Sequence, residues 1–263
     1  MRMNDGATAD TWMLAVETPV EICVNGEPFA VMLATPSSLT ELALGLLITE
    51  QVVVATTAVL HSHVAVGLNE ARVDLHFPSS AVQRDRLRSR AMPGSSGCGL
   101  CGIETLAQLQ TRPARSGTKK RTVGDPALQR AFRDFPGVQR LNAATRSVHA
   151  AAWCSLDGDI LLVREDVGRH NALDKLVGAL ATSRRLEEEG FIVMSSRCSY
   201  ELVAKTSFTA AQLLATISAP TTMALQWARA LDLPVVGTSR RGDTLAIVHF
   251  DSHGTPPSMP SIP

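Results

Sequence analysis

The sequence is poor in aromatic residues, and it contains neither a secretory signal nor a stretch suited to crossing a membrane. Phe, Trp and Tyr make up 4% of the 263 residues, with one tyrosine, Tyr200, which argues against nucleic-acid binding by base stacking. Residues 1–15 carry two aspartates and no apolar signal core. The uncharged stretch 206–228 is interrupted by polar residues and a proline, whereas a spanning helix needs about 20 mainly apolar residues. We therefore expect a soluble, cytoplasmic protein that binds neither nucleic acid nor membrane.

Two further absences narrow the class of protein. The sequence has no Gly-x-x-x-x-Gly-Lys-Ser/Thr phosphate loop, so a standard ATPase is not supported. Its five cysteines are an odd number, and a chain of this length does not need a disulfide framework. We therefore expect reduced cysteines in a reducing compartment.

The composition predicts a folded chain of one large domain or two small ones. Hydrophobic residues make up 45% and charged residues 19%, which is enough for a sizeable core. We predict disordered tails at 1–16 and 251–263, an N-terminal α+β part at 17–142 and an α/β domain at 143–250.

Local signals predict several elements of the N-terminal part. The turn Asn25-Gly26 predicts a hairpin over 19–33, and Ser38 with Glu41 predicts a capped helix start. Segments 52–60 and 72–77 are predicted as strands, and strands alternate with helices in the second half.

Residues 78–124 form a basic segment around a cysteine pair. The segment contains nine basic and two acidic residues, which gives a net charge of +7, whereas the whole chain is neutral. Gly, Ser and Pro are dense on both sides of Cys98 and Cys101, which predicts a mobile segment. A solvated surface loop without function is the competing interpretation of such a charge run.

A lone Cys-x-x-Cys is compatible with several chemistries. Structural zinc usually needs a second pair, and Cys23, Cys154 and Cys198 are scattered. Zinc deaminases need His-x-Glu, which is absent here. A thioredoxin-like pair would begin a helix after a strand, whereas residues 92–97 resemble a loop. Sulfur carriage remains, since a thiolate favoured by nearby cations can hold sulfur as a persulfide. Metal binding and no role stay open.

Four segments of the second half change abruptly from apolar to polar residues, and their polar parts begin at Arg164, Ser195, Ser218 and Gly237. In an open α/β sheet, ligands bind beyond the carboxyl ends of the strands. If these strands run in one direction, their ends would bring together Arg169, Arg197, Arg240 and Arg241 with hydroxyl groups and helix N-termini. Such a group suits phosphate or pyrophosphate, although ordinary capping by Ser218 or Thr221 and surface ion pairing compete with this interpretation.

Two motifs in particular resemble the FdhD/NarQ family, the formate dehydrogenase accessory sulfurtransferases. They are the string Arg164–Lys175 (REDVGRHNALDK) and Cys98-Gly99-Leu100-Cys101-Gly102. The segments 195–205 and 217–221 are similar to the family as well. The resemblance covers about residues 17–250, and its long string is far more specific than the cysteine pair alone.

The resemblance implies a fold and a function. The fold would be an α/β protein, a cytidine-deaminase-like three-layer α/β/α sandwich without a metal, with a smaller N-terminal α+β part. The protein would accept sulfur from an IscS-type cysteine desulfurase, with Cys98 as persulfide cysteine and Cys101 as its companion. It would pass this sulfur to a molybdenum bis(molybdopterin guanine dinucleotide) before the cofactor enters apo formate dehydrogenase. A homodimer is implied too.

The resemblance also assigns the loop 238–243 to the guanine dinucleotide. Together with the strand ends, the predicted cofactor-binding residues are Thr238, Ser239, Arg240, Arg241, Gly242, Asp243, Arg169, His170, Arg197, Ser218 and Thr221.

The sequence departs from the family pattern at glycine positions. Thr145-Arg146-Ser147 stands where Thr-Gly-Gly is usual, and Ser195-Ser196-Arg197 stands for Ser-Gly-Arg. Loops that use the freedom of glycine therefore carry side chains here, which could alter cofactor geometry. A cofactor-binding chaperone without covalent sulfur chemistry is the alternative. It predicts that Cys98→Ala still supports enzyme maturation, whereas Arg240→Ala or Arg241→Ala does not.

Overall fold

The computed structural model of the protein describes residues 13–54, 58–88, 121–241 and 244–250, and only the backbone of Arg88, Arg240, Arg241, Thr244 and Leu245. The strands in these ranges are β1 Thr18–Val24, β2 Glu27–Ala34, β3 His61–Val66, β4 Ala71–His76, β5 His149–Cys154, β6 Ile160–Asp166, β7 Gly190–Met194, β8 Ala211–Thr216, β9 Val235–Arg241 and β10 Thr244–Phe250. The helices are α1 Leu39–Thr49, α2 Arg84–Arg88, α3 Asp125–Val138, α4 Arg140–Thr145, α5 Arg169–Thr182, α6 Tyr200–Thr206 and α7 Thr222–Ala230. No helix in the described ranges is both long and apolar enough for a membrane span.

The N-terminal part is a four-stranded sheet covered by α1. Its strand order is β2-β1-β4-β3, with β1 parallel to β4 and the other pairs antiparallel. The predicted hairpin is confirmed: Asn25 and Gly26 both have positive φ, 52° and 84°, as a tight two-residue turn requires. Alternate residues of β1 and β4 are buried with the apolar residues of α1, and this burial fixes which face of the sheet is inside.

Two local predictions in this part are wrong. Residues 52–60 are not a strand in their described portion: Val53 makes an isolated bridge to Val82, and the strand comes later, as β3. Every residue of β3 is exposed, so no alternation of apolar and polar residues marks it. The predicted capping box is also absent, because the Ser38 side chain makes no cap hydrogen bond and both Glu41 oxygens accept hydrogen bonds from Arg164.

The second sheet is the centre of a three-layer sandwich. Its strand order is β10-β9-β8-β7-β5-β6. Buried apolar residues of α3 pack against one face, and α5 contributes to the core on the other. This confirms the predicted α/β/α sandwich with a smaller N-terminal α+β part. The domain boundary at residue 142 stays a prediction, although α3 precedes it and packs on this sheet.

The direction of the strands gathers four carboxyl ends at one edge. Strands β7, β8 and β9 are mutually parallel, and β5 is antiparallel to both β6 and β7. Strands β6, β7, β8 and β9 therefore all run the same way. The start of β5 lies at the same edge as their ends.

Helices α1 and α5 approach each other at two glycines. A Cβ on Gly45 would overlap the backbone carbonyl of Asp174, and a Cβ on Gly178 would overlap that of Glu41. Only glycine permits this backbone separation. The crossing therefore joins the N-terminal part tightly to the sandwich.

Buried ion pairs complete this junction. Lys175 Nζ lies 2.6 Å from Asp166 Oδ2, with both side chains fully buried. The pair also binds the N-terminal part, because Lys175 donates to the Thr35 carbonyl at 2.9 Å and Asp166 accepts from the Thr35 amide at 3.0 Å. Burial lowers the pKa of Lys175, although Asp166 opposes this change.

A second buried pair holds the end of α1. Lys205 Nζ lies 2.8 Å from both Asp174 oxygens and donates to Thr49 Oγ1 at 2.8 Å. Burial raises the pKa of Asp174, against the lowering effect of Lys205. Several residues of the segment 164–175 therefore hold the N-terminal part against the sandwich.

Candidate functional site

The carboxyl ends of β6, β7, β8 and β9 and the start of β5 form one edge, which we call the strand-end site. Hydrogen bonds connect the segments that follow these strands. The Ser195 amide donates to the Ala150 carbonyl at 3.0 Å, the Ile217 amide to Met194 at 3.0 Å, and Thr238 Oγ1 to the Ile217 carbonyl at 2.6 Å. The structure thus confirms the predicted convergence of the four polar segments.

Arg169 and His170 open helix α5 directly after β6. The turn between strand and helix is fixed by the Gly168 amide, which donates to Asp166 Oδ1 at 2.9 Å. Arg169 is half-buried and Arg197, after β7, is exposed. Among the described side chains, no ion pair involves either arginine. Arg169 and Arg197 thus bring two cations to the edge at which the N-terminus of α5 lies, and such an environment favours an anion.

His170 belongs to a buried polar group with Glu201 and Ser199. Its Nε2 lies 3.0 Å from Glu201 Oε2 and 3.5 Å from Ser199 Oγ, and Ser199 donates to the same carboxylate oxygen at 2.9 Å. Burial alone would raise the pKa of Glu201. The hydrogen bond and charge of His170, the Ser199 hydrogen bond and the charge of Arg169 outweigh it and lower that pKa. His170 is thereby oriented at the site.

The predicted site residues did not include His149 or Ser195, although Ser195 begins one of the four polar segments. His149 begins β5 and is half-buried, with Nδ1 at 3.5 Å from Ser195 Oγ. Ser195 Oγ accepts from the Ala150 amide at 2.8 Å, which leaves its hydroxyl hydrogen for the imidazole. The signal that could have found His149 is the β5–β6 hairpin, since its register pairs His149 with Asp166 at the end of β6.

The segments after β7 and β8 support each other, and Thr221 caps a helix. Cys198 forms a parallel bridge with Pro220, and the Thr221 amide donates to the Cys198 carbonyl at 3.0 Å. Thr221 Oγ1 accepts from the Ala224 amide at 3.2 Å as the N-cap of α7. The capping interpretation of Thr221 is therefore correct. Ser218 is half-buried beside it.

Only part of the predicted loop 238–243 is described. Thr238 is half-buried and Ser239 exposed at the end of β9. The backbone of Arg240 and Arg241 continues the strand, and their side chains are not described. Gly242 and Asp243 lie outside the described residues. Their assignment to the guanine dinucleotide stays a prediction.

Two departures from the family pattern border the strand-end site. Arg146 adopts the left-handed backbone conformation that favours glycine, with φ of 54°, and ends α4. Ser196 is buried and donates to the Arg197 carbonyl at 3.0 Å. The chain therefore keeps a glycine-like turn at Arg146 and accommodates the added hydroxyl of Ser196.

The predicted persulfide cysteines, Cys98 and Cys101, lie outside the described residues. The chain is described again from Arg121, which pairs with Glu189 at 3.1 Å and donates its amide to Gln212 Oε1 at 2.9 Å. Because Glu189 and Gln212 stand at the beginnings of β7 and β8, Arg121 lies at the sheet edge opposite the strand-end site.

The other three cysteines are buried thiols. Cys23, Cys154 and Cys198 are each fully inaccessible to solvent. Burial is the main cause that raises the pKa of Cys23 to about 11 and those of Cys154 and Cys198 to about 12. Thiolate nucleophiles need a low pKa and access, so these three do not suit sulfur transfer. Within the described ranges no three His, Cys, Asp or Glu side chains form a group able to hold a metal ion.

The fold and the site define a three-layer α/β protein with a cationic edge suited to an anionic ligand. The model of the FdhD/NarQ family matches residues 15–251, and the chain belongs to this family. "Sulfur carrier protein FdhD" of Chromobacterium violaceum is 43% identical over 245 residues, covering 91% of this chain and 90% of the relative. The Variovorax paradoxus protein of the same name is 42% identical over 236 residues, covering 90% and 84%.

A solved structure shares the fold. The crystal structure of a candidate formate dehydrogenase accessory protein from Desulfotalea psychrophila superposes with a TM-score of 0.67 at 18% sequence identity. The match covers 89% of this chain and 87% of that one. It supports the two-sheet α/β architecture described above.

Proposed function

We propose that this protein is a sulfurtransferase that serves formate dehydrogenase as a sulfur carrier. It accepts sulfur from an IscS-type cysteine desulfurase on Cys98, assisted by Cys101. It transfers that sulfur to a molybdenum bis(molybdopterin guanine dinucleotide) before the cofactor enters the apoenzyme. The Cys101 thiolate releases the sulfur by attacking Cys98 Sγ, so that the two thiols supply the two electrons and form a disulfide. The names of the relatives support the carrier role, and the observation that carries it here is the burial of every described cysteine.

Burial excludes three of the five cysteines from sulfur transfer. A persulfide forms when a thiolate attacks the outer sulfur of a donor cysteine persulfide and the donor thiolate leaves, so the acceptor thiol must be accessible. Cys23, Cys154 and Cys198 fail this requirement. The remaining thiols, Cys98 and Cys101, stand in the segment whose net charge is +7. Positive charge lowers the pKa of a thiol and favours the thiolate.

The strand-end site supports the proposal that the ligand is a guanine dinucleotide. A guanine dinucleotide carries pyrophosphate groups, and Arg169, Arg197 and the start of α5 supply cations and a helix N-terminus at one edge. Charge-assisted hydrogen bonds from arginine to phosphate are among the stronger polar contacts in proteins. Thr238 and Ser239 bring hydroxyl groups to the same edge.

A chaperone that binds the cofactor without carrying sulfur is the second candidate. The strand-end site favours it, because the described residues of that site already offer cations and a helix N-terminus to an anion. The two candidates differ in one respect only: the carrier forms a covalent bond to sulfur at Cys98. A cytoplasmic location and a homodimer stay predictions under both.

Intact-protein mass spectrometry separates the candidates. The protein is incubated with a cysteine desulfurase and cysteine, without reductant. We expect one added sulfur atom that a thiol reductant removes, and we expect it to be absent from Cys98→Ala. Cys198→Ala, which removes a buried thiol of raised pKa, is the matched control and should still be charged. A wild-type protein that gains no sulfur, while the desulfurase charges another acceptor, would exclude the carrier role.

A further inference from the structure

His149 holds a central position at the strand-end site. It begins β5, which lies between β6 and β7 in the sheet. Its register partner is Asp166, so its side chain is on the same face as α5, where Arg169 and His170 begin the helix. His149 is half-buried, so part of the residue's surface remains accessible at this edge.

The charges that act on His149 are both positive. They come from Arg169 and His170, at the start of α5. The carboxylates on the surrounding elements are already held by other groups: Asp166 of β6 by Lys175, and Glu201 of α6 by His170. From β7, the neighbouring group is the neutral hydroxyl of Ser195.

Glu165, the remaining acid beside the start of β5, is engaged elsewhere. Its register partner is Ala150, so it is on the opposite face of the sheet. Its two oxygens accept from the Leu141 and Asn142 amides at 2.8 Å each. No described carboxylate is thus available to His149, and an added anion would balance the charge of Arg169, which has no ion-pair partner among the described side chains.

We infer that His149 contacts an acidic group of the ligand bound at the strand-end site and takes up a proton as that ligand binds. The inference rests on the proposed function for the ligand. It assigns to His149 the part of a binding residue that recognises phosphate, beside the fixed cation Arg169. The proton comes from solvent, and no covalent bond changes.

The physical basis is a change in pKa between the free and the bound protein. Burial, then the charges of Arg169 and His170, lower the pKa of His149 below its ordinary value of 6.5, so the free imidazole is neutral at pH 7. A phosphate within contact distance favours the charged form and raises that pKa. Binding is therefore accompanied by proton uptake, and it is stronger at pH 6 than at pH 8.

Calorimetry with guanosine diphosphate as the probe tests this inference. Titrations at pH 7 in buffers of different ionisation enthalpy give the number of protons taken up. We expect greater uptake for the wild type than for His149→Gln, and a dissociation constant about tenfold higher for the variant. The probe's own phosphate titrates in both proteins, so the difference belongs to His149. His63→Gln, an exposed histidine of β3, is the matched control and should behave like the wild type.

The imidazole pKa of His149 gives a readout in the wild-type protein, independent of the folding of a variant. Nuclear magnetic resonance should show a pKa below 6.5 that rises when the probe saturates the protein. Equal affinity and equal proton uptake in wild type and His149→Gln, or a His149 pKa unchanged by the bound probe, would overturn the inference while leaving the ligand in place. Failure of the wild type to bind the probe would instead reject the proposed guanine-nucleotide ligand, and the inference with it.

Discussion

The junction between the N-terminal part and the sandwich uses charged residues differently from the strand-end site. At the junction, Lys175 and Lys205 each contact a buried carboxylate at 2.8 Å or less, and backbone meets backbone at two glycines. At the strand-end site, Arg169 and Arg197 have no ion-pair partner among the described residues. A buried charge depends on its partner inside the fold, because losing that partner leaves it uncompensated, whereas a cation without a partner at a converging edge is available to a ligand. One string, 164–175, contains both kinds.

The largest expected effect comes from removing one partner of a junction pair. Lys175→Met leaves Asp166 buried without its cation, and we expect a loss of about 3–5 kcal/mol in the free energy of unfolding. Urea denaturation measures it. The double variant Asp166→Leu with Lys175→Met removes both charges and should be more stable than the single variant. Single-variant stability equal to wild type would show that this pair is not what holds the junction.

A smaller loss of stability is expected when a methyl group is added at the place where α1 and α5 cross. Gly178→Ala places a methyl group against the Glu41 carbonyl, so α1 and α5 must separate, at a cost of about 1–3 kcal/mol. Gly137→Ala in α3 is the matched control, because nothing lies within 4 Å of the added atom. Thermal unfolding of the two variants should differ clearly in midpoint. Similar midpoints would mean that the junction is looser than the structure indicates.

The smallest effect on stability, but a clear one on binding, is expected at the strand-end site. Arg197→Ala should leave the free energy of unfolding within about 0.5 kcal/mol of wild type, because the side chain is exposed and no described ion pair includes it. Its dissociation constant for guanosine diphosphate should rise about tenfold. Arg133→Ala, an exposed arginine of α3 paired with Asp134, should bind like the wild type. An unchanged affinity in Arg197→Ala would remove the arginine from the site.

The sequence was informative where local residues decide the structure. Asn25-Gly26 marks its own turn, and each of the four strands that end at the site changes from apolar to polar within a few residues. Since strand direction was the one assumption needed, the convergence of Arg169, Arg197 and Thr238 could be predicted.

Contacts between residues that are distant in the sequence explain the features that could not be predicted from it. Glu41 is a plausible capping residue until Arg164 binds it from 123 positions away. Lys175 belongs to a conspicuous motif, but its contact with Thr35 crosses 140 positions. His149 and Glu201 reach the site from the start of a strand and the first turn of a helix, and their contacts there are with Ser195 and His170, 46 and 31 positions away.

The glycine pair at the helix crossing gives a criterion for other sequences. No side chain fits at positions 45 and 178 while α1 and α5 keep this separation. The residues at these two positions must therefore be considered together when sequences are compared. A distant chain with a cysteine pair and a similar charged string, but with larger residues at both places, must dock its two parts in another way. Two positions outside both the cysteine pair and the strand-end site can thus sort candidate relatives by architecture before any activity is measured.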